Sequence, residues 1–153
     1  MSFTSDLIDG WAQMLAAADL GLRYPLVWHP DGSAYAATDT GIGRNTLPLS
    51  CNRAVGLTPY GLADDPTMNT SEVGIQVKLR SQAQDPRDVW ALDDAIANYL
   101  LGRYPFTLPT GIRVVTLQRT AVTGLGQEDG GQQRWLWTAS YPLSLYRPTP
   151  HRT

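Results

Sequence analysis

The chain has 153 residues, 42% of them hydrophobic and 17% charged, with a formal net charge of -2. That is enough for one domain with its own core and short for two. The slight negative balance excludes a general attraction to nucleic acid or to an anionic membrane surface, because both need excess positive charge. Cys51 is the sole cysteine, which excludes an intrachain disulfide and the two-cysteine metal knuckles and leaves a small buried hydrophobe.

The opening MSFTSDLIDGWAQ carries carboxylates where a signal peptide needs positive charge, and no apolar run approaches the roughly 20 residues of a membrane span. A protein made and kept in a cytoplasm is expected. Leu7, Ile8, Trp11, Met14, Leu15 and Ala18 recur at helical spacing, with Asp6, Asp9 and Gln13 opposite. Thr4 or Ser5 is the expected cap and Gly21 the stop. Leu26-Val27-Trp28 reads as a short strand before a turn at residues 29–32. Residues 29–52 then carry glycines and prolines without a clear period, a long connection for so small a chain. Residues 53–58 predict a strand with Val55 and Leu57 inward, followed by a polar turn through Asp64-Asp65-Pro66. Val73, Ile75, Val77 and Leu79 alternate with Glu72, Gly74, Gln76, Lys78 and Arg80, which predicts a strand with one buried and one wet face.

Asp85-Pro86-Arg87-Asp88 is a helix start and Gly102 its stop. Val89, Leu92, Ile96, Tyr99 and Leu100 form the apolar face of this helix. Trp90, Ala97 and Leu101 form a second stripe about a third of a turn away, which one sheet has difficulty covering. Residues 112–119 and 134–141 predict a terminal hairpin with Trp135, Trp137 and Tyr141 on one face, joined by a loop over 124–131. The tail 147–153 has too little apolar content to pack and is expected to be flexible. The resulting expectation is a single domain over 1–146, α+β in class. It has a mainly antiparallel sheet of about five strands with two helices packed on one side.

No constellation of reactive residues emerges. His29 lies in a turn and His151 in the tail, with no triad or metal spacing around either. Asp64-Asp65 and Asp93-Asp94 are sequence neighbours whose side chains diverge, so solvation is the simpler reading. Asp93 is the exception, because it falls at the edge of an apolar face and needs a hydrogen-bonding partner. Gly41-Ile-Gly43-Arg44 and Gly124-Leu-Gly126 lack the flanking elements and the lysine of phosphate loops and read as turns. Lys78, Arg80, Arg113, Arg119 and Arg134 read as a solvated sheet face rather than a nucleic-acid groove. No enzyme, catalytic residue, cofactor or metal is expected.

Residues 54–61 (AVGLTPYG), 74–80 (GIQVKLR) and 85–102 (DPRDVWALDDAIANYLLG) follow one another as a G-x-Q-V-x-x-R strand, an Asp-Pro link and a helix ending Leu-x-Gly. In this order they resemble the tail terminator and minor capsid family of siphophages, over about a third of the chain. The resemblance implies a structural virion protein at the head–tail junction, assembled as a homo-oligomer, usually a hexameric ring, on the last layer of the tail tube. It implies that the ring ends tube growth and joins tail to head, with the major tail tube protein and neck connector proteins as partners. Genomic DNA would pass through the lumen without being read, and no membrane is involved. The 29–52 segment lies outside the resemblance. A neck or head-completion protein on the portal side is the alternative, and a non-viral protein-binding module the third. Trp90, Ala97 and Leu101 are the candidate subunit contact of the ring; in the protein-binding module the same stripe would serve a partner protein.

Overall fold

A computed structural model describes residues 2–64 and 69–148. Asp65 and Pro66 of the expected turn, His151, and residues 149–153 of the expected tail lie outside the described residues. The elements are α1 (Phe3–Ala17), β1 (Leu26–Trp28), β2 (Thr40–Arg44), β3 (Arg53–Asp64), β4 (Thr70–Ser81), α2 (Arg87–Leu100), β5 (Phe106–Thr107), β6 (Arg113–Leu117), β7 (Thr120–Gln127) and β8 (Trp135–Tyr146).

This overturns the five-strand α+β expectation with helices on one side. Among the described residues eight strands form one curled sheet in the order β1-β2-β3-β4-β8-β6-β5, with β7 also paired to β8. The pairs β1–β2 and β2–β3 are parallel; the remaining pairs are antiparallel. Burial explains the difference. Parallel strands are stable when both faces are covered, and here the segment 29–52 covers the face that the helices do not.

On the helix side, Val73, Ile75, Val77 and Leu79 of β4 pack in one core with Leu7, Trp11, Val89, Leu92 and Ile96. This is the packing that the two periodicities predict. Trp11 is fully buried at its centre, 6.5 Å from both Phe106 and Tyr141. Large aromatics dominate such cores, and truncating one costs about 3–5 kcal/mol. Ser2, rather than Thr4 or Ser5, caps α1 by accepting from Ser5 N, and the helix stops at Ala17, short of Gly21. The start of α2 is displaced by one residue: Pro86 is the cap position, while Asp85 Oδ1 still accepts from Arg87 N. Gly102, at φ +84°, follows the end of α2 as predicted.

On the opposite face Tyr35, Cys51 and Ala54 form a small second core, with Val27 and Leu47 packed on it. Residues 45–52 cross over this face between β2 and β3. Gly43 and Gly56 are register partners beneath the crossover. A β-carbon on Gly43 would strike the Thr46 carbonyl and Pro48, and one on Gly56 would just touch Thr46 and Leu47. The 41–44 glycines are therefore strand residues and not a turn, chosen for close approach. Arg80, expected on a wet face, is buried and donates to the carbonyls of Pro48, Cys51 and Asn52. One planar guanidinium thus gathers three backbone acceptors of the crossover, and Cys51 O also accepts from Arg134. The 29–52 segment is thus fixed by its own chain, through Arg80 and through the Tyr35 hydroxyl, which donates to Ile42 O at 2.5 Å.

Strand β8 runs five residues past the expected end at Tyr141, through Pro142. Proline lacks the N–H of a ladder residue. The β4 ladder continues past it unbroken at Gly74↔Pro142, and the deficit falls on the other side, where Pro142 O accepts from Gln118 N at 2.9 Å.

Candidate subunit interface

Leu49, Trp90, Leu101, Tyr104, Val115, Val122, Leu125 and Tyr146 are the large hydrophobic side chains most open to solvent. Two of them belong to the expected stripe on α2: Trp90 is 46% and Leu101 44% exposed, whereas Ala97 is 3% exposed and covered within the subunit. Eleven residues are three helical turns, so Trp90 and Leu101 lie on one side of α2, about 16 Å apart along its axis. The exposed Asp94 interrupts the stripe between them.

Trp90 packs edge-on against Trp137 of β8, with ring centroids 6.5 Å apart. Gly124 of β7 also lies against the Trp137 ring, where a β-carbon would sit 3.0 Å from it. Leu125, 47% exposed, follows directly. An apolar patch of Trp90, Trp137 and Gly124 therefore links α2, β8 and β7. Its β7 share was not legible, because residues 124–131 read as a glycine loop. The 124–126 glycines lie in a strand instead, and all eight β7 residues are exposed.

Beneath the patch lies a buried polar cluster. Asp93 meets Arg119 in an ion pair, which supplies the partner its position demands. Burial pushes the Asp93 carboxyl above the usual carboxylate range, with Arg119 opposing the shift. The same burial pushes the Tyr141 hydroxyl up to about 12. Arg119 is thus another of the five expected surface cations that turns inward. Arg134 is engaged as well, 2.5 Å from Glu128, and this holds the Glu128 carboxyl below its ordinary range. Arg113 remains exposed and Lys78 half-buried.

His29 is not a free turn histidine: its ring stacks on Tyr35 at 4.3 Å. Among the described residues no group of three or more His, Cys, Asp or Glu side chains is placed to hold a metal ion, and no described helix is long and apolar enough to cross a membrane.

An exposed apolar patch rimmed by polar groups is the mark of a protein-contact surface. The sequence itself says which kind of protein: residues 24–147 match the family described as bacteriophage tail terminator protein. The chain belongs to that family. No individual curated protein matches it. Tail terminators are structural proteins of the phage tail, so this chain is a tail component and its surfaces face other phage proteins. The match includes all of β1 to β8 and α2 and omits α1. It also takes in the 29–52 segment, which the resemblance read from the sequence did not reach.

Proposed function

We propose that this tail terminator subunit acts as a single domain over 1–146 and assembles into a closed ring, most simply a hexamer, at the head-proximal end of the tail tube. The ring ends tube growth and presents a docking face to the neck proteins at the head–tail junction. DNA passes through its lumen without base-specific contact, in keeping with the net charge of -2, which gives no general attraction to phosphate. It performs no catalysis. The observation that carries this reading is the family match over residues 24–147.

In this reading Trp90 and Leu101 lie at the contact between neighbouring copies, while Ala97 shapes the helix beneath them. Aromatic residues at interface centres carry about 2 kcal/mol or more each, repeated at every contact of a ring. Trp90→Ala and Leu101→Asp should leave the far-ultraviolet circular dichroism unchanged and abolish the ring in sedimentation. Particles carrying them should show tails of uncontrolled length that fail to join heads. Normal tails from both variants would place the contact elsewhere. In a reconstruction of the wild-type particle, density on the portal side in place of the tube end would assign the chain to the neck.

A further inference from the structure

We propose that β7 is a releasable strap on the edge of the sheet, fastened at its root by the buried Asp93–Arg119 pair and at its tip by Glu128–Arg134. The inference concerns the free subunit and holds whether or not that subunit forms a ring.

Strands β6 and β7 lie end to end along the same edge of β8. The pairs Leu117↔Leu143 and Thr120↔Ser140 keep one register across the gap, so Arg119 falls opposite Tyr141. Partners in an antiparallel pair share a face, and the Tyr141 side chain is wholly buried. Register alone therefore drives a guanidinium into the core, where Asp93 of α2 meets it. The ladder is weakest at this same place, since Pro142 has no N–H to return to Gln118. Immediately beyond, Ala121 takes a left-handed backbone at φ +50°, which is unfavourable for a residue with a β-carbon.

Past that point β7 has nothing buried to hold it. All eight of its residues are exposed, and two irregularities interrupt its pairing, between Thr120 and Thr123 and between Gly124 and Gly126. At the far end Glu128 N donates to Arg134 O at 2.8 Å, and the Arg134 guanidinium returns to Glu128. β8, by contrast, is paired to β4 along its entire length and stays when β7 leaves. Release of the strap bares the β8 edge over residues 135–140 together with the Trp137 ring, an open edge able to accept another strand.

Native-state hydrogen exchange on the purified full-length subunit tests this. In the wild type, the β7 amides bonded to β8 should exchange at least about tenfold faster than β4 amides, as expected of a local opening. Arg119→Met should speed β7 exchange about a further tenfold while β4 amides stay within about twofold, since the unpaired Asp93 can take up a proton. If Arg119→Met does not fold, the double variant Asp93→Asn/Arg119→Met removes both charges and is read in the same way. Acceleration of β7 and β4 in step would mean that the pair merely supports the whole core. Unchanged β7 exchange would mean that the pair fastens nothing. Either result overturns the proposal, and neither depends on the state of assembly.

Discussion

Strand β4 turns Val73, Ile75, Val77 and Leu79 into the main core and is paired on both sides, over residues 71–80 with β3 and along its full length with β8. Strand β7 belongs to the same sheet, yet buries no side chain and is paired on one edge alone. The first is fixed by its own pattern. The second is placed by what borders it: the register inherited from β6, an inward arginine, and an ion pair at its tip. The contrast separates two ways of making a strand, by side-chain burial and by end fixation, and the two should respond differently to mutation.

The largest effect is expected where burial is the cause. Val77→Asp puts a carboxylate among the apolar side chains of the main core, at a cost of several kcal/mol, comparable with the whole stability of a domain. Loss of the cooperative thermal transition in circular dichroism is expected; a folded Val77→Asp subunit would remove β4 from the core.

An intermediate effect is expected at the crossover. Valine suits strands better than glycine, so intrinsic preference alone predicts that Gly43→Val stabilises β2. The structure predicts the opposite sign, because the new side chain must lift Thr46 and Pro48. The overpacking cost is about 1–3 kcal/mol in a denaturant melt. A rise in the urea midpoint would show that the crossover does not press on Gly43.

The smallest effect is expected in β7. Val122→Ser and Leu125→Ser remove exposed apolar groups and should change subunit stability by less than about 0.5 kcal/mol. A loss of more than about 1 kcal/mol in the same melts would mean that these side chains are covered within the subunit, and would erase the contrast with β4.

The legible parts of the molecule are those whose residues repeat with a period. Helix α2, the inward face of β4 and the nine-residue core between helices and sheet follow directly from spacing, and so does the exposure of Trp90 and Leu101. What was not legible has a common physical origin. β2 and β7 contain glycines at the places where another group must come close, Tyr35 and Pro48 in one case and Trp137 in the other. A glycine chosen for close approach is indistinguishable in sequence from one chosen for a turn. The full length of β8 is hidden as well, since proline is unusual inside a strand and only the neighbouring seam shows why Pro142 is tolerated. The inward course of Arg80, Arg119 and Arg134 was likewise hidden, since each meets its partner from a segment far away in the chain or across an unforeseen strand. Ala97, grouped with the exposed stripe by angle, is buried within the subunit all the same.

The roof over β2 and β3 also bears on how related chains can diverge. Gly43, Gly56, Arg80 and the length of the crossover 45–52 form one mechanical unit: the glycines make room, the crossover fills it, and the arginine binds the carbonyls left beneath. A lineage that shortens the crossover frees both glycine positions for side chains and leaves a buried cation with no carbonyls to bind. These four features should accordingly change together or not at all, so that among tail terminators the identity of residue 80 reports whether the roof exists.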